Sequence, residues 1–220
     1  MDISILYYTS NRETPEFEQR IIQKLLEVTD LPIISVSQKP INLGKNICVG
    51  DVGSSGFNMF RQILIGCKEA KTKFIVTAEA DCLYPSDYFQ FIPEREDVCY
   101  RNSNTYLMGM RRDYFFKKKE GGTWSQVIGR EFYIKRLEYL FENAPQWSTE
   151  EKNFPKERGK GEDIFEAKDI TRYETLNPCV SIKSGNGMRG YSHSENIPIY
   201  EIPYWGSGKT FKQSYNEGSN

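Results

Sequence analysis

The stretch Ile3-Ser4-Ile5-Leu6-Tyr7-Tyr8 is short, apolar and rich in β-forming side chains, which predicts a buried strand. Thr14-Pro15-Glu16 follows it and predicts the start of a helix, with threonine as the N-cap and proline at the first helical position. The predicted helix has apolar residues at helical spacing, at Phe17, Ile21, Leu25 and Val28. A second strand is predicted over residues 33–36. A strand, a helix and a strand in this order predict a βαβ unit with parallel strands.

The same alternation continues along the chain. Residues 38–56 contain four glycines and predict a loop, and residues 57–68 again have apolar residues at helical spacing. A third strand is predicted over 73–77, followed by Glu79-Ala80-Asp81. Further predictions are a short helix at 87–91, strands at 98–101 and 106–110, helices at 125–143 and 161–170, a strand at 179–183, and an irregular tail from residue 184. We therefore expect an α/β fold with a mostly parallel sheet flanked by helices.

Composition and charge restrict the class of protein. The 220 residues are 38% hydrophobic and 27% charged, which excludes a collagen, a coiled coil and an intrinsically disordered chain. The net charge of −1 excludes a globally basic nucleic-acid binder, although it permits a local basic patch. The five cysteines form no C-x-x-C pair, and we find no apolar segment of about 20 residues and no leader-like start. We therefore expect a cytoplasmic protein with reduced thiols, in the host cell if a phage encodes it.

Two glycine-rich motifs are weak matches to known nucleotide-binding patterns. Residues 185–190 fit G-x-G-x-x-G, but serine, asparagine and proline follow where a dinucleotide-binding motif needs a helix. Residues 206–210 resemble a P-loop, but Pro203 stands where the first glycine is required, and little chain remains for a following helix. His193 is the only histidine, which argues against a histidine–cysteine zinc site and a Ser-His-Asp triad.

Glu79 and Asp81 are the strongest chemical signal. They follow a predicted parallel strand, and ligands of open α/β sheets bind at the carboxyl ends of such strands. Two carboxylates at positions i and i+2 of an extended chain lie on the same side. Such a pair is able to hold a hard divalent cation, which in turn makes a diphosphate a better leaving group. The alternative is that the two acids only cap a strand and a turn.

The order of motifs around these acids resembles glycosyltransferases of the GT-A fold, particularly family-2-like enzymes. Asn58-Met59-Phe60-Arg61-Gln62 opens an amphipathic helix, Lys73-Phe74-Ile75-Val76 forms a strand, and the acidic tripeptide follows it. Such enzymes have a helix with an arginine in its first turns, then a strand, then a D-x-D motif. Residues 46–85 look like a bacterial and phage-encoded branch of that superfamily. The resemblance covers residues 1–110 reasonably and the remainder more loosely.

The resemblance implies a Rossmann-like GT-A domain over residues 1–220, with a nucleotide-sugar-binding half at 1–110 and an acceptor-shaping half at 111–220. It implies a metal-dependent hexosyl- or pentosyltransferase that uses a nucleoside-diphosphate sugar and Mn²⁺ or Mg²⁺. Asp81 matches the last aspartate of D-x-D and is the predicted metal ligand, whereas Glu79 replaces the first aspartate. The predicted nucleotide contacts are Tyr8, Thr9, Asn11, Arg61, Glu79 and Asp81.

A second family motif is Glu162-Asp163, which resembles the x-E-D motif of GT-A enzymes. It implies that Asp163 is the general base of an inverting reaction, with Glu162 as its orienter or as an acceptor ligand, because an acceptor hydroxyl needs a carboxylate to remove its proton. Two acids in the first turn of a helix are also explained by the helix dipole alone. The family's late histidine implies that His193 contacts the metal or the phosphates.

The acceptor is left open by the sequence. Arg111–Lys119 is basic and aromatic, and a second basic run has Lys152, Lys156, Arg158 and Lys160. Such runs suit either a solvated face or a DNA backbone with a hydroxymethylated base, while the near-neutral total charge favours a glycan acceptor. Two alternatives to a glycosyltransferase are a non-catalytic module of the same fold that binds a nucleotide sugar or nucleic acid, and a nucleotidyltransferase.

Overall fold

A seven-stranded sheet forms the centre of the protein. The computed structural model describes residues 2–118, 121–150, 164–183 and 197–216. Four of the six strand pairings are parallel, and one strand runs antiparallel to both of its neighbours. In spatial order the strands are β10 (Ile170–Tyr173), β6 (Cys99–Asn102), β9 (Gln126–Gly129), β4 (Phe74–Glu79), β1 (Ile3–Thr9), β2 (Ile33–Ser37) and β3 (Lys45–Cys48), of which β9 is the antiparallel one.

Helices cover both faces of this sheet, as the mostly parallel topology requires. Leu6 and Tyr8 of β1 pack with the second and third helices on one face, whereas Ile3, Ile5 and Tyr7 pack with the first helix on the other. This alternation follows from the period of two in a strand. The predicted α/β architecture is confirmed. The helices are α1 (Pro15–Val28), α2 (Gly56–Glu69), α3 (Arg130–Leu140) and α4 (Gly208–Asn216).

Helix α1 begins where the sequence predicts. The side chain of Thr14 accepts a hydrogen bond from the backbone N–H of Phe17, and Pro15 is the first helical residue. Threonine in this position satisfies one of the N–H groups that a helix leaves unpaired at its start. No helix in the described ranges is both long enough and apolar enough to cross a membrane.

A second, four-stranded sheet lies against the first. It brings together segments that are far apart in the sequence, because residues near 82 and near 180 are hydrogen-bonded neighbours. Its last strand packs against α4, where the rings of Phe115 and Phe211 lie 5.1 Å apart. The strands in spatial order are β5 (Cys82–Leu83), β11 (Cys179–Lys183), β7 (Thr105–Gly109) and β8 (Phe115–Lys117), and a separate pair consists of β12 (Glu201–Ile202) and β13 (Gly206–Ser207).

Four local predictions are wrong. The loop predicted at 38–56 contains the edge strand β3, and the helix predicted at 125–143 begins only at Arg130, after β9. The described part of the helix predicted at 161–170 contains only a short 3₁₀ helix, Ala167–Asp169, followed by β10. The tail from 197 onward contains α4. A helix therefore does follow the P-loop-like motif at 206–210, although Pro203 still replaces its first glycine.

Gly129 joins β9 to α3 at a point where the backbone is crowded. A Cβ atom there would lie 1.7 Å from the carbonyl oxygen of Glu96. We expect Gly129→Ala to lower the free energy of unfolding by about 2–3 kcal/mol, since overpacking against a backbone atom forces the chain apart. Urea denaturation measures the loss. Gly50→Ala is the matched control, because Gly50 has a positive φ but no neighbouring atom within 4 Å, so that it reports backbone strain of about 1 kcal/mol alone. Equal losses in the two variants would contradict the prediction.

Candidate active site

The acidic motif lies at the carboxyl edge of the central sheet. Glu79 is the last residue of β4, and β1 and β2 run parallel to β4 and end at the same edge. Cys82 already belongs to the second sheet. Asp81 therefore lies in the short connection between the two sheets, at the edge where α/β proteins bind their ligands.

Asp81 is held by three neighbours. Its Oδ2 atom lies 2.8 Å from Nζ of Lys183, at the end of β11. The thiol of Cys82 donates to its Oδ1 atom over 3.1 Å, and the backbone N–H of Ile182 donates to its carbonyl oxygen over 2.6 Å. Both side chains of the ion pair retain some exposure, 20% for Asp81 and 25% for Lys183. The pair is therefore fixed in position and mostly, but not fully, buried.

Glu79 lies beside this pair and accepts a hydrogen bond from a tyrosine. The hydroxyl of Tyr8 donates to its Oε1 atom over 2.5 Å, and Tyr8 and Glu79 are directly paired across β1 and β4. Burial and the negative charge of Asp81 raise the pKa of Glu79 to about 7, although the Tyr8 hydroxyl and the charges of Lys183 and Lys118 oppose the shift. Glu79 is therefore only partly ionised at neutral pH.

The other two groups keep their protons. Burial lowers the pKa of Lys183, but the charge and hydrogen bond of Asp81, together with Cys82 and Glu79, raise this pKa above its ordinary value. Burial and the charge of Asp81 raise the pKa of the Cys82 thiol well above its usual range. Lys183 is therefore an ammonium and Cys82 a neutral thiol at neutral pH.

The predicted nucleotide loop after β1 lies at the same edge. The side-chain oxygen of Asn11 accepts hydrogen bonds from the backbone N–H groups of Gln38 and Lys39, over 2.9 and 2.8 Å. The hydroxyl of Thr9 accepts from the N–H of Asn11, whose positive φ of 50° suits an asparagine. These contacts join the loops after β1 and β2. Thr9 and Tyr8 are buried, so that both support this edge from within the protein.

Arg61 faces a different part of the molecule. Its guanidinium donates to the carbonyl oxygen of Pro145 over 2.7 Å and lies 3.8 Å from the ring centroid of Phe141. This is a cation–π contact with the end of α3. The contacts give Arg61 a structural role between α2 and the chain that follows α3, and its predicted contact with the nucleotide stays a prediction.

Two polar side chains of α2, which the sequence does not predict as site residues, hold the loops at the carboxyl edge of the central sheet. The amide of Gln62 donates to the backbone carbonyls of Thr9 and Val36, over 2.8 and 3.1 Å. Asn58 accepts from the N–H of Ser148 over 2.8 Å, and its own amide donates to the carbonyl of Val52 over 2.7 Å. The signal for them was a polar residue on the apolar face of a predicted helix.

Three predicted site residues, Glu162, Asp163 and His193, lie outside the described residues. The first described residues after Glu162-Asp163 are Ile164 and Phe165, which are buried in the core beside α3. Their neighbours include Tyr133, whose ring centroid lies 5.6 Å from that of Phe165. The roles of Glu162 and Asp163 as orienter and base, and of His193 as a ligand, stay predictions.

The acidic cluster offers a metal ion a limited set of donors. One ligand atom each from Glu79, Asp81 and Cys82 lies within 4.8 Å of the others. However, the ammonium of Lys183 lies on Oδ2 of Asp81 and the Cys82 thiol donates to its Oδ1, so that an ion on Asp81 would have to displace the ammonium. Unit charges 4 Å apart near a protein surface interact by about 4 kcal/mol, and a divalent ion beside the ammonium of Lys183 would double this repulsion. A divalent ion does not fit these residues while Lys183 remains on Asp81.

A cavity of about 800 Å³ lies on the other side of the predicted nucleotide loop. Helix α1 and residues 39–42 form its walls, and Asn11 belongs to its lining. Its charged side chains include Glu13, Glu18 and Lys39. Glu27 also lines it, so that three of its four charged side chains are acidic and the cavity disfavours a diphosphate.

In the basic run Arg111–Lys119, part of the positive charge contacts aromatic rings. The guanidinium of Arg112 lies 5.5 Å from the ring centroid of Tyr114 and 5.4 Å from that of Phe116. Tyr114 in turn meets Tyr200 edge to face at 5.7 Å. The second run, with Lys152, Lys156, Arg158 and Lys160, lies outside the described residues. Tyr200 is exposed, so that it adds an aromatic surface beside the first run.

No protein-family model matches the sequence, and no curated protein is significantly similar to it. Solved structures are similar in fold. Residues 1–349 of TarS from S. aureus, in complex with UDP-GlcNAc, share 11% identity at a TM-score of 0.51, over 88% of this chain and 62% of that one.

Two other structures are similar at TM-scores below 0.5. A glycosyltransferase involved in glycosylation of the major capsid of PBCV-1 has a TM-score of 0.46 and 11% identity, over 81% of this chain and 92% of that one. The bifunctional IspDF from Campylobacter jejuni has a TM-score of 0.44 and 12% identity, over 80% and 50%. The chain thus spans between half and two thirds of the length of IspDF and of the TarS fragment. The TarS likeness, together with the mostly parallel sheet, shows that the chain has the GT-A-like fold that its motifs predict.

Proposed function

We propose that the protein is a glycosyltransferase that moves a sugar from a nucleoside-diphosphate sugar to an acceptor hydroxyl. The observation that carries the proposal is the position of Glu79, Asp81 and Lys183 together at the carboxyl edge of β4, in a GT-A-like fold. A positive charge at that edge, from the ammonium of Lys183 or from a cation held by the two acids, is suited to hold a diphosphate and to stabilise it as it leaves. TarS, which has a similar fold, has been solved with UDP-GlcNAc, which supports a nucleotide sugar as the donor.

The proposal assigns the two halves of the chain to the two substrates, as the resemblance implies. Residues 1–110 would bind the nucleotide sugar, with the loops after β1 and β2 beside the acidic motif, and residues 111–220 would shape the acceptor site. Asp163 would take the proton of the acceptor hydroxyl, with Glu162 as its orienter, and direct displacement by that hydroxyl would invert the anomeric centre. The predicted dependence on Mn²⁺ or Mg²⁺ stays a prediction, and an ion on Asp81 would have to displace the ammonium of Lys183.

A thermal-shift screen tests the donor. The purified protein is heated with UDP-, GDP-, dTDP-, CDP- and ADP-sugars and with the matching nucleoside diphosphates. At a ligand concentration about 100 times its Kd we expect stabilisation of about 2.7 kcal/mol and a matching rise in Tm. Inorganic phosphate at the same concentration is the control and should cause little change. The absence of a shift with every nucleotide would contradict the proposal.

Two other functions are distinguished from a glycosyltransferase by the products that the protein releases. A non-catalytic module would bind a nucleotide sugar but would not release the nucleoside diphosphate from it, which chromatography of the reaction mixture measures. A nucleotidyltransferase would consume a nucleoside triphosphate and release pyrophosphate. The nature of the acceptor is tested separately, because a DNA acceptor bound through phosphate contacts would lose affinity steeply with salt, and a glycan would not.

A further inference from the structure

The cluster at the carboxyl edge contains a cation of its own, and it is not a metal. Lys183 reaches Asp81 from β11, 102 positions along the chain, and the two charged groups lie 2.8 Å apart. We propose that the ammonium of Lys183, held in place by Asp81, binds the diphosphate of the nucleotide sugar, so that the protein binds nucleoside diphosphates without a divalent ion. The inference rests on the proposed function.

The geometry leaves the ammonium able to bind a second partner. An ammonium has three N–H donors, and Asp81 accepts one of them. The Lys183 side chain is a quarter exposed, so that a ligand has access to it. Bonds from an ammonium to phosphate oxygens are charge-assisted and are stronger than neutral hydrogen bonds. Asp81 acts through Lys183 and is therefore a positioning residue.

The charges of the cluster favour a diphosphate over a metal ion. Asp81 and Lys183 neutralise each other, and Glu79 shares its charge with the hydroxyl of Tyr8. Lys118 adds a second positive charge that acts on Glu79. The two acids and the two lysines therefore balance, so that the described part of the cluster does not repel an incoming diphosphate anion.

The proposed role is consistent with the chemistry of sugar transfer. The acceptor oxygen forms a bond to the anomeric carbon, and the bond from that carbon to the diphosphate oxygen breaks. The electron pair of the broken bond stays on the diphosphate, whose growing negative charge the ammonium stabilises, and the proton of the acceptor hydroxyl goes to the carboxylate base. A fixed positive charge is able to stabilise such a leaving group as a metal ion does.

Two binding measurements test the inference. Isothermal titration calorimetry measures the affinity for UDP, GDP, dTDP, CDP and ADP, first in EDTA and then in Mn²⁺. We expect the best of these ligands to bind with the same Kd within about twofold in both buffers. Electron paramagnetic resonance measures binding of Mn²⁺ without nucleotide, and we expect a Kd weaker than about 1 mM, because the ammonium repels the ion.

Substitutions then assign the effect to one side chain. Lys183→Met removes the charge at similar length, and we expect it to weaken nucleoside-diphosphate binding in EDTA by about 10²-fold, the effect of losing a charge-assisted contact. The same variant should bind Mn²⁺ about tenfold more tightly than the wild type, because it frees Asp81. Lys183→Arg keeps the charge and should lose less than Lys183→Met. Lys45→Met is the matched control, since Lys45 is ion-paired with Glu69 at the start of β3.

The outcomes separate the inference from the proposed function. If no nucleoside diphosphate binds in either buffer, the proposed function fails, and the inference fails with it. If one binds only in Mn²⁺, or if the wild type binds Mn²⁺ at micromolar concentration, the function stands but the inference is wrong. If Lys183→Met folds and binds the nucleoside diphosphate as tightly as the wild type, the inference is also wrong. If it does not fold, the wild-type measurements still test binding without a divalent ion, and Lys183→Arg tests the side chain.

Discussion

Asp81→Asn is expected to lower kcat/KM for release of the nucleoside diphosphate from its sugar by about 10²–10³-fold, the size of effect seen when one group that stabilises transition-state charge is lost. Asparagine has nearly the same shape as aspartate but no charge, so that the ammonium of Lys183, 2.8 Å from Oδ2 in the wild type, is no longer held in position. Chromatographic measurement of the released nucleotide gives the rate. Asp81→Glu keeps the charge and should recover part of the activity.

The control for this loss is Asp97→Asn. Asp97 is also an aspartate in an ion pair, with Arg95, but it is exposed and lies just before β6. An exposed pair contributes about 0–1 kcal/mol, so that Asp97→Asn should retain full activity. Rates for Asp81→Asn within about threefold of the wild type would show that neither the ion pair nor a metal on Asp81 takes part in the reaction.

Phe60→Ala is expected to have the largest effect on stability, a loss of about 3–5 kcal/mol. Phe60 lies on α2, is fully buried, and packs in the same core cluster as Leu6 of β1 and Val36 of β2. Truncation to alanine leaves a cavity that the surrounding strands cannot fill. For a chain of this length the midpoint of thermal unfolding should fall by about 2–4 °C for each kcal/mol lost.

Two variants make the Phe60 prediction specific. Phe60→Leu keeps an apolar side chain of intermediate size, and it should lose clearly less stability than Phe60→Ala. Ile92→Ala removes a side chain that is 70% exposed, and it should change the free energy of unfolding by no more than about 0.5 kcal/mol. Calorimetry measures all three variants. If Phe60→Ala melts within 2 °C of the wild type, α2 does not form the core as described.

The sequence predicts the first half of the fold well because its signals are local. Apolar residues at a period of 3.6 mark α1 and α2, and a threonine cap with a proline marks where α1 begins. Strand β3 was missed because its four residues lie at the sheet edge and are only partly buried, so that they show no clear apolar pattern. Strand β9 was read as helix because its residues are all buried, and a short apolar strand beside a helix does not reveal its own period.

In the candidate site, too, only the residues with a local sequence signal were predicted. Glu79 and Asp81 were identified from their position after a predicted strand, which is local information. Lys183 was not, because nothing near residue 81 shows which of the 29 basic residues meets it. That contact is created by the pairing of β5 with β11, and strand pairing between distant segments is not encoded in a local pattern.

The ion pair also has a consequence for any shortened form of the protein. A fragment that stops before β11 would keep both acids of the motif and the whole first βαβ unit, yet it would lack the lysine that lies 102 positions after Asp81. Asp81 would then lack the ammonium that is 2.8 Å from its Oδ2 atom in the intact chain, which opens the same edge to Mg²⁺ or Ca²⁺. Metal affinity measured on such a fragment would therefore describe the fragment and not the intact chain.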